Sequence, residues 1–87
     1  MSTLHLVTNP SSAASCLSMH SFKEDTILLL LDGVYASEQL QAPRTFAIQR
    51  DVVTRGLSDS ISDDITLINY EEFVALVVEH ESIITWR

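Results

Sequence analysis

The segment TILLLL, residues 26–31, is the most apolar run of the chain, and it stops at Asp32-Gly33. A run this short is unlike a buried helix, which takes about ten residues or more, and has the length of a strand. A strand that is apolar on both sides is typical of the centre of a parallel sheet, where helices cover both faces. The segment therefore predicts a central parallel strand whose carboxyl end is the Asp32-Gly33 turn.

Strand and helix patterns alternate on either side of this segment. Apolar and β-branched runs predict the other strands, the first of which ends at the turn signal Asn9-Pro10. Helical spacing with end signals such as Ala42-Pro43 and Gly56 predicts the helices. In chain order we predict a strand at 3–8, a helix at 11–22, the strand at 26–31, a helix at 34–40, a strand at 44–49, a helix at 50–56, a loop at 57–64, a strand at 65–70 and a helix at 70–80. The tail SIITWR, residues 82–87, fits either an edge strand or a contact surface. This alternation implies βαβ units, and hence an α/β fold with a parallel sheet and right-handed crossovers.

The composition predicts one small acidic domain covering residues 1–87. A chain of 87 residues can bury one core but is too short for two ordinary domains. Its 12 acidic and 5 basic residues give a formal net charge of −7, which repels nucleic-acid phosphates and anionic lipids. No apolar run approaches the roughly 20 residues of a membrane span, and the amino terminus lacks the features of an export signal. We therefore expect a cytoplasmic protein that binds neither nucleic acid nor membrane directly.

Ligand and partner sites of an open parallel sheet lie beyond the carboxyl ends of its strands. In this chain those positions are Thr8-Asn9-Pro10, Asp32-Gly33, Gln49-Arg50 and Asn69-Tyr70. Backbone amides at Asp32-Gly33 could hold a phosphate, but one glycine falls short of a phosphate-binding motif and the aspartate would repel the anion. A tight structural turn is the favoured interpretation.

The sequence predicts no metal site and no cofactor. Asp63-Asp64, with Asp59 nearby, lacks the ordered oxygen spacing of a calcium loop, so a solvated loop is the favoured interpretation. The histidines at positions 5, 20 and 80 do not have the spacing of a zinc site, and a single cysteine supplies no thiolate set.

Cys16 is the one intrinsically nucleophilic side chain and the one candidate catalytic residue. It is the only cysteine, which rules out an internal disulfide and a CxxC redox pair. His20 follows at i+4 on the predicted helix, where an imidazole and the amino end of the helix would both favour the thiolate. The alternative is a packed thiol, because free cysteine is among the most buried residue types. A protease or acyl-transferase is less favoured, since no oxyanion hole or orienting third residue accompanies the pair.

Two short segments point instead to an interface. Arg55-Gly56 and Trp86-Arg87 are more often a helix end and a tail than a site, yet exposed aromatic and arginine side chains are preferred interface anchors. Sheet edges also pair unless they are covered. We therefore expect an oligomer.

Several segments together resemble one protein family. They are TLHLVTNPS (3–11), LLLLDGVYA (28–36), RDVVTRGLSDSIS (50–62), ITLINYEEFVALVVEH (65–80) and the terminal ITW (84–86). Their order and spacing resemble the DsrH/TusB family of sulfur-relay proteins over nearly the whole chain. The run SCL at 15–17 matches family members that carry a cysteine in the first helix, so the resemblance assigns that cysteine position to Cys16.

The resemblance implies a small DsrE-like (flavodoxin-like) three-layer α/β fold with a mostly parallel sheet. It also implies an accessory subunit in a heterohexamer with TusC-like and TusD-like partners, or with DsrF-like and DsrE-like ones. In the Tus branch, persulfide sulfur passes from TusA through a TusD cysteine to TusE, toward 2-thiolation of the wobble uridine of certain tRNAs. The Dsr branch serves sulfur oxidation. In either branch Cys16 would be an auxiliary sulfur acceptor or a packed thiol, and the chain could form a homodimer in isolation.

Two other classes of function remain open. An autonomous cysteine-dependent sulfurtransferase would use Cys16 and His20, and the isolated chain would then turn over substrate. A homo-oligomeric binding module would have no sulfur chemistry.

Overall fold

The computed structural model describes residues 3–12, 16, 25–36, 44–61 and 64–86, which build a sheet with helical segments on both faces. The strands are β1 (Thr3–Val7), β2 (Thr26–Leu29), β3 (Thr45–Ile48), β4 (Thr66–Ile68) and β5 (Ser82–Trp86). The α-helices are α1 (Gln49–Thr54) and α2 (Tyr70–Glu79), and short 3₁₀ helices span Pro10–Ser12 and Leu31–Ala36. The α/β fold with three layers is confirmed.

The sheet has five strands in the order β4-β3-β2-β1-β5. Every pairing within it is parallel. All four residues of β2 are buried, which confirms the central strand predicted from TILLLL, although the strand ends at Leu29 rather than at residue 31. The tail forms β5, an edge strand beside β1, which confirms one of the two interpretations given for it, and the contact surface stays a prediction.

Side chains alternate along the strands and build a separate core on each face of the sheet, as the period of a strand requires. On one face, strand residues pack with residues of the connections that follow β1, β2 and β3: Cys16, Val34, Ala36 and Val52. On the other face, strand residues pack against α2 through Phe73, Leu76 and Val77. Right-handed crossovers explain this division, because β1 to β4 progress in one direction across the sheet while the β4-to-β5 connection returns in the other.

The helices differ from their predicted spans at the first two connections. The helix predicted at 34–40 begins at Leu31 and is a 3₁₀ helix as far as Ala36, and residues 37–40 lie outside the described part of the chain. Leu31 has a positive φ of 54°, a conformation held by a 2.7 Å hydrogen bond from its backbone N–H to Asp51 Oδ2. Of the helix predicted at 11–22, the structure describes a 3₁₀ turn at Pro10–Ser12 and a helical Cys16.

The predicted helix at 70–80 is confirmed as α2. Its amino end carries a capping box, in which Asn69 Oδ1 accepts a hydrogen bond from the Glu72 backbone N–H and the Glu72 side chain accepts one from the Asn69 N–H. At the other end, α2 passes through His80 into β5. No helix in the described residues is long and apolar enough to cross a bilayer.

Candidate functional site

The four segments predicted as site positions all follow the carboxyl end of a strand. Because the strands are parallel, Thr8-Asn9-Pro10, Asp32-Gly33, Gln49-Arg50 and Asn69-Tyr70 share one edge of the sheet. The structure thus brings together the segments that the sequence analysis grouped, and their individual contacts show what each can do.

The Asp32-Gly33 turn is engaged in structural contacts. Arg55 donates from Nε to Asp32 Oδ1 at 3.0 Å, and its Nη1 lies 3.6 Å from Asp51 Oδ1. Asp51 in turn accepts the hydrogen bond from Leu31. One arginine therefore links the end of β2 to α1 and places its positive charge beside two carboxylates. These contacts support a structural turn at Asp32-Gly33 over a phosphate site.

Gly33 packs directly against the backbone of the neighbouring strand. A Cβ at this position would collide with the carbonyl group of Val7, and that same carbonyl accepts a 3.1 Å hydrogen bond from the Leu30 N–H. The glycine is required here by the close approach of two backbones, and no side chain could take its place without moving β1 or β2.

Cys16 is fully buried in the core between the sheet and the first connections, with 0% of its surface exposed. Its neighbours in that cluster are apolar, and they include Val7, Ile27 and Val34. Burial, and secondarily the negative charge of Asp25, raise the pKa of the thiol from 9.0 to about 11. At neutral pH the side chain is a protonated thiol, which is a poor nucleophile.

His20, proposed as the partner of Cys16, lies outside the described residues, so the pairing of the two remains a prediction. Asp63 lies outside them as well. Within the described ranges, no three or more side chains of the His, Cys, Asp and Glu types lie together as a metal site would require.

A buried polar network that the sequence analysis missed joins β1, β2 and β5. The Trp86 indole N–H donates to His5 Nδ1 at 3.0 Å, and His5 Nε2 lies 2.8 Å from Asp25 Oδ2. Because an indole can only donate, Nδ1 must accept, so the proton of a neutral imidazole is on Nε2 and is donated to the carboxylate. The planes of the His5 and Trp86 rings are within 21° of parallel, and the ring centroids are 6.2 Å apart.

A second histidine, His80, forms hydrogen bonds that connect α2 to the sheet. His80 Nδ1 lies 2.6 Å from the Leu76 carbonyl, which can only accept, so this nitrogen carries the proton. His80 Nε2 lies 2.8 Å from Thr26 Oγ1 and accepts its hydroxyl hydrogen if the imidazole is neutral. The sequence signal for both histidines was their position in or beside apolar strands, since a buried imidazole must find partners.

The described part of the chain has two surface depressions of note. The larger, of about 320 Å³, opens at the carboxyl edge and is lined by Ile48, Gln49, Arg50, Val53, Thr54, Asn69 and Tyr70. The smaller, of about 220 Å³, runs along one flank of α2 beside β3 and β4. Cys16 lines neither of these two depressions.

Comparison with known proteins yields a consistent set of relatives. The family model described as DsrH like protein matches residues 8–83. Protein TusB of Escherichia coli strain K12 is 44% identical over 71 residues, which is 71% of this chain and 75% of the relative. Protein TusB of Yersinia pestis strain Pestoides F is 41% identical over 81 residues, covering 83% of this chain and 85% of the relative.

Proposed function

This chain belongs to the DsrH-like protein family, and on that premise we propose that it is an accessory subunit of a sulfur relay supporting 2-thiolation of the tRNA wobble uridine. Family membership supports a sulfur-relay role in general. The proposal adds that the subunit works in the cytoplasm, in a heterohexamer with TusC-like and TusD-like partners. Its net charge of −7 suits a subunit of a complex that passes sulfur to other proteins and does not itself bind the tRNA.

The burial of Cys16 is the observation that carries the accessory role. In persulfide transfer, a thiolate attacks the terminal sulfur of a donor persulfide, the sulfur–sulfur bond of the donor breaks, and the donor leaves as a thiolate. Cys16 is a poor acceptor for that step, because its sulfur is out of contact with solvent and its pKa is raised to about 11. We infer that the transferred sulfur is held on a cysteine of a partner subunit and that Cys16 packs the core. Cys16 as an auxiliary acceptor remains a prediction, and that role would require the chain to open.

The test is intact-mass spectrometry of the wild type and of Cys16→Ser after exposure to a persulfide-loaded carrier protein. Each is measured with and without the TusC-like and TusD-like subunits. We expect one added sulfur on a partner and none on this chain, with the same result for Cys16→Ser. An added sulfur on the wild type that is lost in Cys16→Ser would contradict the inference that Cys16 only packs the core and would make Cys16 a relay station.

A second measurement addresses the tRNA end of the proposal. In a strain that lacks this chain, wobble 2-thiouridine should fall and should return when either the wild type or Cys16→Ser is supplied. Undiminished thiouridine in the deletion strain would refute the proposed pathway, and sulfur oxidation would then be the role to test.

A further inference from the structure

The two edge strands of the sheet differ in length and in protection against pairing. β4 has three residues, whereas β5 has five, with the sequence SIITW. Proteins commonly protect an edge by making its strand very short, or by placing charged residues, proline or a bulge in it. β5 contains no charged residue and no proline, and its register with β1 is continuous from Ser82 to Trp86. The β5 edge therefore lacks these protections, and within the described ranges no further strand pairs with it.

The hydrogen bonds to β1 show which main-chain groups of β5 face outward. The Thr8 N–H donates to the Trp86 carbonyl at 3.0 Å, so the main chain of Trp86 faces β1. In a strand, the N–H and C=O of one residue point to the same side, and successive residues alternate between the two sides. Ile84 therefore also faces β1, whereas Ile83 and Thr85 direct their N–H and C=O groups away from the sheet. These two residues can pair with another strand.

Both faces of β5 carry exposed apolar side chains. Ile83 pairs in register with Leu4, and Ile84 pairs with His5. The two isoleucines therefore point to opposite faces of the sheet, and they are 44% and 40% exposed. An added strand would cover apolar surface on both faces as well as the outward main-chain groups.

The charge beside β5 selects the direction in which a second copy can pair. Glu81 is exposed and directly precedes β5. A parallel copy would place the two Glu81 residues on neighbouring strands, about 4.8 Å apart. An antiparallel copy centred on Ile84 separates them by six residues along the strand, or about 20 Å, which exceeds twice the Debye length of about 8 Å at physiological salt. Like charge therefore opposes the parallel pair and leaves the antiparallel one nearly unaffected.

The antiparallel arrangement about Ile84 uses every outward group of β5. Ile83 lies opposite Thr85 of the second copy, so each pair exchanges two hydrogen bonds and the contact has four. Ile84 lies opposite Ile84 of the second copy, with Cβ atoms about 4.5–5.5 Å apart. The contact is closed, because the joined sheet ends on both sides in the short strand β4. A second copy thus protects the long edge without creating another.

We propose that β5 pairs antiparallel with β5 of a second copy of this chain, about a two-fold axis at Ile84. The two five-stranded sheets become one continuous sheet of ten strands. This inference goes beyond the proposed function and does not rest on it, because the contact is between copies of one chain and is measured on that chain alone.

A pair of opposite charges at Ile84 tests the position of the axis. Ile84→Lys and Ile84→Glu each place like charges directly across the axis, whereas an equimolar mixture allows unlike charges to meet there. Sedimentation equilibrium should show a wild-type dimer, at least tenfold weaker dimerisation of each variant alone, and at least tenfold tighter association of the mixture than of either variant. Val53 is 57% exposed and lies on α1, so Val53→Lys and Val53→Glu serve as matched controls that should dimerise within about twofold of the wild type. A monomeric wild type, a dimer that neither Ile84 variant weakens, or a mixture no tighter than its components overturns the proposal.

Amide hydrogen exchange tests the same contact without a substitution. The Ile83 and Thr85 amides should gain protection as the protein concentration rises, whereas the Ile84 amide, which faces β1, should not change. Dimerisation that leaves the exchange of Ile83 and Thr85 unaltered overturns the pairing of β5.

Thr85→Pro is a second variant that adds no charge. It removes an outward N–H and no hydrogen bond to β1, so the chain should stay folded by far-UV circular dichroism and dimerise at least tenfold more weakly. Dimerisation of Thr85→Pro at the wild-type affinity overturns the proposal. Failure of the chain to bind TusC-like and TusD-like subunits would refute the proposed function and leave these results for β5 unchanged.

Discussion

Cys16 should react very slowly with an aromatic disulfide reagent in the folded chain. The factor by which folding slows the reaction distinguishes the effect of the raised pKa from the effect of burial of the sulfur. The reagent is added at neutral pH to the native chain and, separately, to the chain unfolded in urea. The increase in absorbance on release of the aromatic thiol gives both rates. Cys16→Ser, which has no thiol, supplies the baseline.

The raised pKa of Cys16 alone predicts a modest difference between the native and unfolded reaction rates. The rise in pKa from 9.0 to about 11 lowers the thiolate fraction at neutral pH by roughly 100-fold. A more basic thiolate is also more nucleophilic, with a Brønsted slope of about 0.4–0.5, which restores roughly tenfold. The pKa by itself would therefore slow the reaction by only about tenfold.

Burial adds a much larger factor. Cys16 has no exposed surface, so the reagent reaches the sulfur only when the chain opens. If opening costs about 5 kcal/mol, the lower end for a folded domain, the open fraction is of the order of 10⁻⁴. We expect the native rate to be at least about 1000-fold below the unfolded rate. A native rate within about tenfold of the unfolded one would match titration alone and refute the burial of the thiol.

Three further predictions concern stability. Gly33→Ala should lower the free energy of unfolding by about 3 kcal/mol or more, because the new Cβ collides with the Val7 carbonyl, whereas Gly56→Ala, at φ +68° with open space around it, should lose only about 1 kcal/mol. Equal losses in urea titrations would contradict this contrast. Trp86→Phe should cost about 1–2 kcal/mol by removing the indole donor to His5, and an unchanged urea midpoint would show that the hydrogen bond adds nothing. Because the Cys16 pKa is raised to about 11, the thiol's contribution to stability is complete below the unfolded pKa of about 9 and is lost as pH rises through 11. Thermal melts should therefore show a steeper alkaline decline for the wild type than for Cys16→Ala, and parallel declines would be evidence against a raised pKa.

The elements that the sequence predicted best are those with a strong local pattern. TILLLL was recognisable as a buried central strand because each of its residues is apolar or β-branched, and β2 is buried throughout. The helix at 70–80 has both a helical period and a capping box, Asn69 with Glu72, and α2 begins at Tyr70 as expected. The 3₁₀ form of Leu31–Ala36 had no comparable signal, because it depends on contacts with Asp51 and Val7 from other parts of the chain.

The candidate site was predictable in outline only. The grouping of four segments at one sheet edge followed from parallel strands, and the structure has that arrangement. The packing of Cys16 was one of two alternatives that the sequence left open, and the network of His5 with Asp25 and Trp86 was not predicted. Trp86 and His5 are 81 residues apart in the chain, and no local periodicity encodes a contact at that separation.

The sequence by itself determined the order of strands and helices, the parallel sheet, the acidic charge and the resemblance to the DsrH/TusB family. Each of these depends only on composition, on local residue pattern or on the spacing of motifs. The tertiary structure alone decided that Cys16 is buried in one core and that β5 is an edge strand. The physical reason is the handedness of the crossovers. Right-handed connections from β1 to β4 place their residues on one face, and the return to β5 leaves a single described helix to cover the other.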